Sequence, residues 1–209
     1  MKNYGKLTLG IIFAWFVFAL AASALHVFVN PSNGIGAAVG IAATVPIVIF
    51  VVWFAASPKF REFALSLNPQ NLTLFHSWRV IGIVFVILEA HGLLPAIFAW
   101  PAGYGDIFIG ATAGIVAFKL ANPSHRATFI AWQLLGVLDL INAVAVGVTA
   151  NLINPHGALM LPMTVLPLSL VPTFGVPLLM IVHIISIAQA RSWKSSPVDN
   201  HHVVALSHV

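Results

Sequence analysis

Cysteine is absent from this chain. That single absence removes disulfides, thiolate nucleophiles, iron–sulfur clusters and cysteine-ligated zinc. Charge is almost as scarce, at 7% of residues, where an ordinary soluble domain carries about 25%. The sequence also lacks a Walker loop, a Gly-x-Ser-x-Gly elbow and a dinucleotide fingerprint after a strand. Gly34-Ile35-Gly36 reads only as a flexible turn. No HExxH or paired-histidine spacing occurs, so no metal site is expected. A retinal Schiff base would need a mid-span lysine, and the only lysine near a span is Lys119, at a helix end. No residue pattern names a reaction, which favours a non-enzymatic protein.

What the chain has in quantity is apolar side chains, 60% of its 209 residues, with a mean hydropathy of +1.00. A soluble fold of this size would leave much of that surface against water. A lipid bilayer removes the difficulty, because its hydrocarbon core is about as apolar as leucine. The expected fold is therefore an all-α, polytopic transmembrane bundle. Six apolar segments, about 7–29, 35–56, 72–94, 106–121, 128–150 and 172–189, each approach the roughly 20 residues that a helical span requires. Lys2 and Lys6 followed by Ala22-Ser23-Ala24 resemble a secretory signal, but the apolar run continues through Val29 and reads as a first span. Residues 1–194 are expected to form a single transmembrane domain, followed by a short tail, 195–209, offering a docking surface.

Asn-Pro pairs punctuate four of the five connections: Asn30-Pro31, Asn68-Pro69, Asn122-Pro123 and Asn154-Pro155. The fifth, from Leu94 to Asp106, holds Pro95, Pro101, Gly103 and Gly105 and reads as an irregular segment dipping into the membrane. Ser57-Pro58 should start a short interfacial helix with Phe60, Phe63, Ala64 and Leu67 on one face. Pro162, Pro167, Pro172 and Pro177 recur every five residues, so 159–171 should lie kinked near the outer surface. Trp53, Trp78, Trp100 and Trp193 fall near predicted span ends, as an interfacial belt would; Trp15 should pack between helices.

The net charge of +4 does not indicate nucleic acid, because the basic residues sit in short loops between apolar runs. Lys2, Lys6, Lys59, Arg61, Lys119, Arg126, Arg191 and Lys194 all fall on one side, and the opposite loops contain neither Lys nor Arg. By the positive-inside rule both termini are cytoplasmic, in the inner membrane of a bacterium.

Ionisable groups inside spans are costly and tend to face the protein interior. Toward the outside are His26, Glu89, His91 and Asp106; near the middle are Asp139, Asn142 and His183; toward the cytoplasm are His76 and Arg79. His76 and Arg79, three apart, share a face, as do Trp132, Gly136, Asp139 and Ala143, where Gly136 permits close helix approach. Glu89 and His91, two apart, point to different sides. Asp106 is expected to open the fourth helix, where it is either an N-terminal cap or a functional carboxylate. Asp139 needs a partner or a proton to sit mid-span. With Arg79 or His183 it forms either a packing ion pair or a relay and ligand site. His26 and His91, at one depth, are the candidate ligands for haem.

The chain resembles an uncharacterised family of small bacterial multi-helix membrane proteins. The resemblance runs through Arg79-Val80-Ile81-Gly82, Leu94-Pro95, Phe98-Ala99, Pro101-Ala102-Gly103-Tyr104-Gly105-Asp106, and Trp132 with Leu135-Gly136-Val137-Leu138-Asp139. It ends in Leu170-Val171-Pro172-Thr173-Phe174-Gly175-Val176-Pro177 with His183, covering about residues 75–190. It implies the multi-helix fold and carries no activity with it. Three readings of function follow. The first is proton-linked solute transport or proton relay through Arg79, Asp106, Asp139, His183 and Glu89. The second is a non-catalytic subunit of a larger membrane complex. The third is a haem- or quinone-binding redox protein.

Overall fold

The computed structural model describes residues 2–30, 35–153 and 158–193. Among these residues there are seven helices and no strand: α1 (Lys2–Ala24), α2 (Ala37–Ala56), α3 (Pro58–Leu65), α4 (Pro69–Ala90), α5 (Ala96–Leu120), α6 (Arg126–Ile153) and α7 (Val171–Ser192). All but α3 are long and apolar enough to cross a membrane. The chain is thus a multi-pass helical bundle. The tail 195–209, Lys194, Pro31 and Asn154-Pro155 lie outside the described residues.

Local chemistry sets the helix starts. The Asn68 carboxamide accepts hydrogen bonds from the N–H groups of Gln70 (2.8 Å) and Asn71 (3.2 Å), with Pro69 in the first turn, so α4 begins three residues before the expected Leu72. Asn122 caps the turn into α6 in the same way, accepting from the His125 N–H at 3.3 Å. The Ser57 hydroxyl caps α3, which buries Phe60 and Ala64 and stacks Phe60 on Trp53 with ring centroids 3.8 Å apart. The side-chain amide of Gln189 on α7 donates to the carbonyls of Leu67 (2.7 Å) and Leu65 (3.2 Å), tying the end of α3 to the bundle.

The fourth span departs most from expectation. Residues 96–105, read above as an irregular dip, are regular helix, and Asp106 lies near the middle of α5 rather than at its start. Pro95 occupies the N-cap position and Pro101 is carried inside the helix. The glycines serve approach rather than irregularity. A Cβ on Gly103 would stand 2.7 Å from the Val86 side chain, and one on Gly105 would overlap the Asp139 carboxylate. The first span ends at Ala24, so His26 lies beyond it in a turn with φ of 57°. The proline-rich stretch is indeed kinked, with a short 3₁₀ turn at Leu161–Thr164 and a widened turn at Val171–Gly175. Its side chains pack inward. Met160, Met163, Thr164 and Ser169 are buried, and Ser169 donates to Ser23 of α1 at 2.9 Å.

Four of the tryptophans follow expectation, Trp53 lying in the last turn of α2. Trp100, near the start of α5, is exposed, and Trp193 follows α7. Trp15 donates to the Thr173 carbonyl at 3.3 Å and meets Phe174 edge-on. Trp78 does not belong to an interfacial belt, because the earlier start of α4 places it well inside the span.

Candidate functional site

Thr73, His76, Arg79, Gly82 and Phe85 of α4 are all buried, a period of three rather than the 3.6 of an α-helix. The reason is backbone geometry. Residues Phe75–Gly82 form a 3₁₀ stretch, in which positions i and i+3 eclipse. In an α-helix each such step would lag by about 60°, and the row would wind toward lipid. The 3₁₀ run therefore holds His76, Arg79 and Gly82 in line against α5, α6 and α7.

Arg79, 1% exposed, is the hub. Its Nε donates to Asp106 Oδ1 of α5 at 2.6 Å, and its Nη2 donates to Asp139 Oδ2 of α6. Its Nη1 faces Nε2 of His183 on α7 at 3.4 Å. All four residues lie near the middle of their spans. Small residues permit the convergence. Asp106 lies between Gly103 and Gly110, three residues before and four after it, on a stripe that packs against α4. A Cβ on Gly110 would fall 2.9 Å from the Val80 side chain. A Cβ on Gly136 would overlap the His183 imidazole.

A guanidinium can only donate, so His183 Nε2 accepts and the ring proton belongs on Nδ1. From Nδ1 the direction of each bond is fixed. His183 Nδ1 donates to Gln133 Oε1 (2.5 Å), Gln133 Nε2 approaches Thr73 Oγ1 (3.5 Å), and Thr73 donates to the Pro69 carbonyl (2.8 Å). This row leads from mid-span to the first residue of α4, at the end of the bundle that carries the basic side chains. His76 stacks on His183 with centroids 3.9 Å apart and ring planes 20° apart, and Trp132 meets its edge. Neither nitrogen of His76 has a hydrogen-bond partner among the described residues. Trp132 donates to Thr112 of α5 at 2.9 Å.

On the other side of the cluster lies a cavity of about 70 Å3 between α2, α4, α5, α6 and α7, with Met160 and Met163 in its wall. Asp106 is the one ionisable group in its lining.

Of the residues singled out from sequence, Arg79, Asp106, Asp139 and His183 come together. Glu89 does not. It sits at the far end of α4, where its Oε2 accepts from Trp100 Nε1 at 3.0 Å. His26 and His91 are both exposed at helix ends, and His91 Nδ1 pairs with the carbonyl of Ile87 at 2.8 Å. Gln133, Thr73 and Thr112 were not anticipated. They are uncharged, and the available signal was that Gln133 lies three residues before Gly136, beside it on α6.

The chain belongs to the family described as Domain of unknown function (DUF8737), whose model matches residues 37–191. The matched stretch begins at α2 and contains every residue of the cluster, while α1 precedes it. No curated protein and no solved structure matches the chain.

Proposed function

We propose that this protein is a proton-linked carrier or relay of the bacterial inner membrane, with the Arg79–Asp106–Asp139–His183 cluster as its proton-binding site. One observation carries the reading: a single guanidinium faces two carboxylates in mid-span. With both carboxylates ionised the group holds one excess negative charge, and a buried unpaired ion costs several kcal/mol. One proton, or one monovalent cation, brings the cluster to neutrality. A site with two alternative sources of the same positive charge has what an exchanger requires.

Roles follow from position. Asp106 faces the cavity and is the outer entrance. Asp139 is its partner carboxylate, and Arg79 keeps the two apart while tying them together. His183 is the second proton-exchanging group, and the Gln133–Thr73 row holds its ring from the side of the basic end. By the positive-inside rule that end is cytoplasmic.

Infrared difference spectra of protein in nanodiscs, titrated with acid and base, read the carboxyl proton directly. A protonated-carboxyl band that appears with acid and is lost in Asp106→Asn or Asp139→Asn is the expected result. Proton entry into proteoliposomes under a pH gradient, followed with a trapped dye, is the functional test. Unchanged flux in both Asp139→Asn and His183→Ala would dispose of the reading.

A further inference from the structure

The cavity beside Asp106 says which class of cation competes with the proton. Apart from Asp106 its walls carry no charged side chain. Phe85, Phe98, Leu140, Met160 and Met163 line it, and Val39 and Ala43 close the α2 side. A hydrated inorganic cation gains nothing from such walls and loses its water to them. A hydrocarbon or aryl body gains from every contact, at roughly 25 cal/mol per Å2 of apolar surface removed from water.

The cavity has a side door. α2 packs on α7 and α3, and its approach to α6 is the loose one. Val144 and Val148 of α6 line the cavity and are 39% and 48% exposed, so it opens sideways toward the hydrocarbon. At the inner end, Asp106 gives Oδ1 to Arg79, while Oδ2 takes part in no hydrogen bond among the described residues. The other charged or titratable groups around Asp106 are Arg79 and His76 from α4, Asp139 from α6 and His183 from α7. α2 carries no ionisable side chain.

We infer that the apolar cavity is a binding site for lipophilic organic cations that enter from the bilayer and place an ammonium on Asp106 Oδ2 in exchange for the proton. The inference rests on the proton-binding reading above and names its counter-substrate. The exchange balances in charge. Arg79 supplies one positive charge against two negative ones, so either the proton or the ammonium completes neutrality, and holding both would leave an excess. A neutral molecule of the same shape fits the walls and displaces no proton.

The test uses the full chain in detergent in a weakly buffered solution, with 4-phenylbutylamine as probe and 4-phenylbutanol and choline as controls. Saturable binding of the amine that releases roughly one proton per cation, as neutrality requires, is the expected result. The alcohol should release none, and choline, with no apolar body, should bind at least about tenfold more weakly. Asp106→Asn should abolish the release. Should that variant misfold, Gly40→Leu places a side chain in the cavity at a position where a Cβ meets nothing within 4 Å. It should weaken amine binding about tenfold or more, with size-exclusion profile and melting temperature as checks of the fold. If the carboxyl band titrates and the amine binds without proton release, or does not bind, the cation proposal is overturned while the proton reading stands. If no carboxyl titrates at all, both fall. Unaltered amine binding in a well-folded Gly40→Leu would also overturn the proposal.

Discussion

Removing the guanidinium of Arg79 should damage this protein more than removing either carboxylate. In the wild type, one positive charge faces two negative ones, and Arg79 is 1% exposed. Arg79→Gln leaves two carboxylates facing each other with no cation between them. Breaking a buried ion pair by deleting one partner costs about 3–5 kcal/mol, in keeping with about 4 kcal/mol for a charge pair at 4 Å and an effective dielectric constant near 20. The loss should not double for two carboxylates, because uptake of protons limits it. For a chain of this length each kcal/mol moves the melting temperature by about 2–4 °C, so Arg79→Gln should melt about 10 °C lower in mild detergent. Asp106→Asn or Asp139→Asn leaves one cation with one anion and should lose less, about 1–2 kcal/mol for an altered buried hydrogen bond. The triple variant Arg79→Gln/Asp106→Asn/Asp139→Asn carries no charge and should recover most of the loss. Differential scanning fluorimetry of the five proteins checks the order. If Arg79→Gln melts with the wild type, or the triple variant melts below Arg79→Gln, the electrostatic argument is wrong.

Other outcomes follow from the same geometry. Gly105→Ala and Gly136→Ala should each cost about 1–3 kcal/mol through overpacking, since the new methyl overlaps Asp139 or His183, whereas Gly114→Ala, with nothing within 4 Å, should be neutral or slightly stabilising in the same melting assay. Gln133→Leu strands the Nδ1 proton of His183 and should cost about 1–3 kcal/mol; the imidazole resonances of His183 should shift in the NMR spectrum, and an unshifted spectrum would disprove the tautomer assignment. Gln189→Leu removes the donor that holds the Leu65 and Leu67 carbonyls, so amide exchange in α3 should quicken while the spans stay protected. Thr112→Val should cost about 1 kcal/mol by depriving Trp132 of its acceptor, with a shift in tryptophan emission as the readout.

The spans were legible because their signal is collective. Some twenty apolar residues in a row permit few alternatives, and no single residue decides the matter. The failures came where one residue type has two uses. Proline and glycine in 95–105 signal a loop in water, but in a membrane helix proline is tolerated and glycine marks a close neighbour. Reading them as a break displaced Asp106 from mid-span to a helix end and gave it the wrong local environment. His26 shows a related effect. The apolar run continues to Val29, but the helix ends at Ala24, so His26 falls in a turn rather than in the span.

By itself the sequence determined the membrane-spanning class, the number of helices and the clustering of basic residues at one end. These depend on composition and order along the chain, which the hydrocarbon reads directly. Tertiary structure decided the site. Arg79, Asp106, Asp139 and His183 come from four helices, and what unites them is the eclipsed 3₁₀ turn of α4 and the glycines that let its neighbours approach. The same charges at the same depth could have pointed along four separate faces. Only the rotation of each helix about its own axis, fixed by packing, aims them at one another.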